Sequence, residues 1–114
     1  MEGTPIPQDW REAVVSILRE GDNAKIEWTL RAMQEWQAAT LSAFAFEAQL
    51  SMANTLANPS ILGQKVELPE NGETYAFFFS HDSKILYGKI CLRPSKVEIK
   101  IISAHTPRKG NKLS

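Results

Sequence analysis

The residues best suited to chemistry lie in the last third of the chain, spaced by two. Tyr87, Lys89 and Arg93 alternate with apolar neighbours over 85–93, and Glu98 and Lys100 do so over 97–103. On two paired strands such residues share one face, because successive side chains point to opposite sides. His105 follows within two residues of the second stretch. Cleaving RNA without a metal needs a base for the 2′-hydroxyl, cations for the charge building on phosphate, and an acid for the leaving 5′-oxygen. Glu98 or His105 suits the base, and Tyr87 or His105 the acid. The catalytic candidates are therefore His105, Arg93, Tyr87 and Glu98. Lys89, Lys100, Arg108 and Lys109 are the candidates for holding nucleic acid. The competing reading is an ordinary solvated sheet face, on which Lys, Glu and Tyr are common.

Charge favours the first of these. Residues 84–114 hold eight of the thirteen Lys and Arg against one acid, whereas residues 1–83 hold five against twelve. A chain of zero net charge thus divides into a part near −7 and a part near +7, and the positive part can attract phosphate.

The elements that must position these groups change period at Asn58-Pro59. Residues 1–8 read as an extended lead-in. Asp9 stands as an N-cap with Glu12 in the capping-box position, and Trp10, Val14, Ile17 and Leu18 fall on one face of a helix over 9–20 that Gly21 closes. Ile26, Leu30, Met33 and Trp36 continue at helical spacing, predicting a second helix over 23–38. A break near 39–42, where Thr40 or Ser42 can cap, leads to a third over 42–57. Without that break, 22–57 would be one helix of roughly 50 Å, too long for a domain of 114 residues. The segment 41–56 is apolar around most of its circumference and should seek a partner, a second copy included.

Beyond Pro59 the period is two. Strands are predicted over 64–68, 74–80, 85–93 and 97–103, joined by turns at 69–72, 81–84 and 94–96 that are short enough to force antiparallel neighbours. The expected fold is one α+β domain over 1–114, with two or three N-terminal helices packed on a four-stranded antiparallel meander. Residues 105–114 are expected to form a basic, mobile tail. Phe78 is expected to face the core, with Tyr75, Phe77 and Phe79 on the other side.

The tail Ile101-Ile102-Ser103-Ala104-His105-Thr106-Pro107-Arg108-Lys109-Gly110 resembles the end of the BrnT-type toxins and related small bacterial domains. In these a last strand runs through Ile-Ser-Ala or Ile-Thr-Ala into a basic tail. The order of elements over roughly 24–110 is also similar. The resemblance implies a place in the RelE and barnase-like ribonuclease group, and hence an RNA-cleaving toxin neutralised by an antitoxin protein. Those families carry a His-Ala pair early in the first core helix, where this chain reads Glu27-Trp28-Thr29-Leu30, and their tails are richer in arginine.

Other chemistry is excluded by spacing. His81, His105 and Cys91 show no metal-ligand spacing, and no phosphate loop, nucleophile elbow or dinucleotide fingerprint is present, so neither metal nor cofactor is expected. A lone cysteine, the lack of a charged-then-apolar leader and the lack of an apolar run of about 20 residues predict a cytoplasmic chain that does not enter a membrane. Two non-enzymatic readings remain beside the ribonuclease. One is a cystatin-like or nuclear-transport-factor-like binding module with an apolar pocket or oligomer surface. The other is an immunity or antitoxin-like protein acting through its acidic first half.

Overall fold

The computed structural model describes residues 3–42, 44–69 and 71–108. Among these, the order is β1 (Thr4–Pro5), α1 (Gln8–Glu20), β2 (Ile26–Trp28), α2 (Leu30–Thr40), α3 (Ala45–Leu56), β3 (Leu62–Val66), β4 (Glu73–His81), β5 (Lys84–Leu92) and β6 (Ile99–His105). The α+β class and the three helices agree with the pattern in the sequence. The sheet differs from it. Strands β3 to β6 form the expected antiparallel meander, but β1 adds to one edge and β2 to the other, giving the order β1-β3-β4-β5-β6-β2. Because β2 runs parallel to β6, the six-stranded sheet is mixed.

The extra edge strand replaces the start of the predicted second helix. Asp22 makes a turn instead, its side chain accepting from the Ala24 N–H at 2.9 Å and its carbonyl from the Lys25 N–H at 2.9 Å. The chain then lies along β6, where the Ile99 N–H donates to the Lys25 carbonyl and the Thr29 N–H to the Ile101 carbonyl. Ile26-Glu27-Trp28 satisfies a period of two as well as a period of 3.6, and backbone bonds to a distant strand decide between them. Leu30 consequently stands exposed. The buried residues of α2 are Ala32 and Trp36, one turn apart.

The remaining helix ends follow local chemistry. Pro7, not Asp9, is the N-cap of α1 and caps through no side chain, while Glu12 accepts from Gln8 Nε2 at 3.2 Å in place of a capping box. Asp9 falls in the first turn, where its charge still favours the positive end of the helix dipole. Gly21 ends α1 at φ 71°, a left-handed conformation that glycine adopts without a Cβ clash. The break after α2 falls at Leu41, inside the interval expected for it. Ser42 then prepares α3, accepting from the Phe44 N–H at 3.1 Å and donating to Glu47 Oε1 at 2.6 Å, although Phe44 is the N-cap.

One face of the sheet packs on the helices. Tyr75, Phe77 and Phe79 of β4, Leu86 and Ile90 of β5, and Ile99 and Ile101 of β6 share one core with Trp10, Val14 and Leu18 of α1 and with Ala48, Met52 and Leu56 of α3. This inverts the expected orientation of the phenylalanines. Phe78 faces outward beside Tyr87, their ring centroids 5.9 Å apart. Three consecutive aromatics leave the phase of a strand undetermined, and a one-residue slip exchanges its faces. The pairing of Phe77 with Gly88 selects the phase, since a Cβ on Gly88 would lie 3.0 Å from the Phe77 ring. Glycine is the residue that lets this aromatic lie flat on the neighbouring strand.

No helix among the described residues is long and apolar enough to cross a membrane. Leu41, Phe44, Phe46 and Leu50 remain 40–92% exposed around the start of α3, so the helices do not enclose this apolar segment. Glu70 of the turn expected at 69–72 lies outside the described residues.

Candidate functional site

An irregularity in β6 builds the site. From Ile99 and Ile101, which face the core, strict alternation would turn Ser103 and His105 inward as well. The register instead runs Ile90 to Ile101 and then Lys89 to Ser103, leaving Ile102 as an extra residue. Such a bulge reverses the phase beyond it. Ser103 and His105 therefore emerge on the outer face, opposite Lys89 and Tyr87. His105, expected to open a mobile tail, is a buried residue at the end of β6.

The first turn of α2 forms the opposing wall. Because β2 is parallel to β6 and the Thr29 N–H bonds to Ile101, α2 starts close to the bulge. Thr29 caps it, its hydroxyl accepting from the Ala32 N–H at 3.0 Å. A cavity of about 380 Å³ results, with Thr29, Arg31 and Glu35 on the helical side and Tyr87, Lys89, Ser103 and His105 on the sheet side. Arg108 borders it too. The start of a helix presents N–H groups and the positive end of its dipole, an environment that favours anions.

The two rings on the sheet side are stacked, with centroids 5.3 Å apart and planes at 30°. His105 is 5% exposed and Tyr87 6%. His105 Nδ1 lies 2.7 Å from the Thr106 carbonyl. A carbonyl only accepts, so Nδ1 carries the hydrogen, and the neutral ring keeps its lone pair on Nε2. Among the described residues no fully buried side-chain nitrogen or oxygen lacks a partner, so Nε2 and the Tyr87 hydroxyl keep some access to solvent, and both residues line the cavity. Lys89 Nζ lies 5.8 Å from the centroid of the Tyr87 ring.

Burial raises the Tyr87 pKa above the ordinary 10.0, so the phenol remains a proton donor through the neutral range. The sign of its effect on stability follows. Above the ordinary tyrosine range the unfolded chain loses this proton before the folded chain does, so folding is progressively disfavoured as pH rises toward the folded-state value. Stability should fall in that alkaline window, measured by urea unfolding, and Tyr87→Phe should flatten the fall. An unchanged profile in the Phe variant would show that Tyr87 is not the group responsible.

Two of the three cations of the cavity share one carboxylate. Glu35 pairs with Arg31 at 3.5 Å and also with Arg108. The other residues singled out in the sequence lie elsewhere on the same face. Arg93, one residue past the end of β5, is six residues from Tyr87, roughly 20 Å away. There Glu27 of β2 pairs with Arg93 at 3.5 Å and with Lys100 at 3.9 Å. Glu98 is exposed beside them, and its carbonyl accepts from the Arg93 N–H at 2.9 Å. The eight candidates thus divide. Tyr87, Lys89, His105 and Arg108 share the cavity, Arg93, Glu98 and Lys100 occupy the far end, and Lys109 lies outside the described residues. One bond cannot be served by both ends, and the two candidates for proton transfer that share a cavity are His105 and Tyr87.

Thr29, Arg31, Glu35 and Ser103 were not among the candidates. Ser103 had a legible sign, since consecutive Ile101 and Ile102 break the alternation at the bulge. The helical residues had none, because only the docking of β2 brings them to the sheet. A larger cavity of about 690 Å³ lies between α1 and the end of α3. Its buried cation, Arg11, donates to the Ile6 and Leu56 carbonyls at 3.3 and 3.2 Å and so ties the chain together there. His81 is likewise structural, held by Ser51 at 2.8 Å and packed edge-on against Trp36. Comparison with protein-family models, with curated proteins and with solved structures finds no match.

Proposed function

We propose that this chain is an RNA-cleaving domain acting at the Tyr87–His105 cavity. The observation that carries the reading is the pair of buried rings lining one anion-favouring cavity, one with an accepting nitrogen and the other with a donating hydroxyl. In the reaction His105 Nε2 takes the proton of a 2′-hydroxyl, and the 2′-oxygen forms a bond to phosphorus. The bond from phosphorus to the 5′-oxygen breaks, and Tyr87 gives that oxygen its proton. The products are a 2′,3′-cyclic phosphate and a free 5′-hydroxyl. Lys89, Arg31 and the start of α2 stabilise the additional charge on the phosphoryl oxygens.

The resemblance of residues 101–110 to the BrnT-type toxins supports the same reading and adds a biological role, a toxin held in check by an antitoxin protein. Purified protein should convert RNA into fragments with cyclic-phosphate ends and should bind, without cutting, a DNA strand of the same sequence, which lacks the attacking hydroxyl. The absence of both salt-dependent RNA binding and growth arrest on expression would remove the reading.

The exposed residues Leu41, Phe44, Phe46 and Leu50 favour a partner surface in addition. Self-association through this patch should be visible in sedimentation, and Phe44→Ser with Phe46→Ser should lower it. A monomer at all accessible concentrations counts against a second copy as the partner.

A further inference from the structure

The outer face of β5 and β6 continues from the cavity toward a second basic cluster. Alternate residues of β5 run Tyr87, Lys89 and Cys91, with Arg93 just past the strand's end, and their neighbours on β6 run His105, Ser103 and Lys100. Cys91, between the two ends, is fully buried with its Sγ 3.7 Å from the Asn71 carbonyl, so the turn before β4 covers that part of the face and a strand joining the ends runs past this turn. At the far end Arg93 and Lys100 converge on one carboxylate, Glu27, from two strands. Their side chains are largely covered, 25% and 18% exposed, whereas Glu27 is 60% exposed. The cations are therefore held by the sheet, and the anion between them stands in water.

Ion pairs of 3.5 and 3.9 Å to so exposed a carboxylate contribute little, because water screens the anion. A phosphate diester brings one negative charge, as the carboxylate does, and can replace it at little cost. We infer that Arg93 and Lys100 form a second phosphate subsite for single-stranded RNA, which the Glu27 carboxylate fills in the free chain and yields when a strand binds. The inference rests on the proposed cleavage site, since it takes the scissile phosphate at His105 as the other end of the track. The roughly 20 Å between the ends suits an extended strand of several nucleotides. The substrate class that follows is single-stranded RNA longer than a dinucleotide, recognised along its backbone.

The test compares binding of a dinucleotide and an oligomer of about eight nucleotides, both with 2′-O-methyl groups so that neither is cut. The affinity advantage of the longer strand should fall several-fold in Arg93→Ala with Lys100→Ala. The salt dependence of its binding should flatten by about 0.7 per lost phosphate contact, the value for single strands. Glu27→Gln should raise the affinity of the longer strand several-fold. Glu12→Gln, which removes an equal charge on α1, should do so much less.

If the length advantage survives in the double variant, or if Glu27→Gln and Glu12→Gln have equal effects, the subsite does not exist. Because binding is read without cleavage, this result stands apart from the cavity's own fate. Loss of cleavage-site function would show instead as uncut natural RNA with the length advantage intact.

Discussion

His105→Ala is expected to reduce RNA cleavage by on the order of a hundredfold or more, as for the loss of a group that moves a proton in the transition state. The ring is nine-tenths buried, stacked on Tyr87 and fixed through Nδ1 to the Thr106 carbonyl, so its Nε2 is presented in one tautomer. Alanine removes the proposed base and leaves a space lined by Tyr87 and Ser103. Added imidazole should enter that space and restore part of the rate, which a merely structural loss would not allow. RNA affinity should change far less, because the cations of the site remain. Full activity in the alanine variant would refute the assignment of the base. Should alanine loosen the strand, His105→Gln keeps most of the volume and a hydrogen-bonding group, and should be as inactive.

Trp36→Ala should cost about 3–5 kcal/mol, the usual range for removing a large aromatic from a core. Trp36 is wholly buried, its indole N–H donates to the Phe44 carbonyl at 3.2 Å, and its ring meets His81 with centroids 4.8 Å apart. It therefore ties α2 to the start of α3 and to the end of β4. Against a total stability of about 5–15 kcal/mol, such a loss is a large fraction of the whole. It should appear as a lower urea midpoint with an unchanged slope. Because Ala32 and Trp36 are the buried residues of α2, the same change should loosen the wall that supplies Thr29 and Arg31, lowering RNA affinity in proportion. A midpoint shift worth less than about 1 kcal/mol would mean that other contacts hold α2.

The residues of α1 and of the central strands were legible because each repeats one period without competition. Trp10, Val14, Ile17 and Leu18 admit a helix only, and Leu86, Ile90, Ile99 and Ile101 face the core as their alternation requires. Tyr87 and Lys89 were assigned to the outer face for the same reason. Where two patterns fitted, the sequence was silent. Ile26 to Trp28 fits a helix and a strand equally, and Phe77 to Phe79 fits either phase of a strand.

The sequence alone determined the α+β class, the change of period at Asn58-Pro59, the break within 39–42 and the concentration of positive charge on the last strands. Local sterics and the spacing of apolar residues suffice for each of these. The tertiary structure decided the rest. The parallel docking of Ile26–Trp28 on β6 brought the start of α2 to the sheet, the bulge at Ile102 turned His105 outward, and the length of β5 separated Arg93 from Tyr87. These outcomes depend on backbone bonds between residues some seventy positions apart in the chain, and on a reversal of phase that one inserted residue produces. The docking leaves no periodic trace in the sequence, because its physical cause lies in the partner strand, and the bulge leaves only the break in alternation at Ile101 and Ile102.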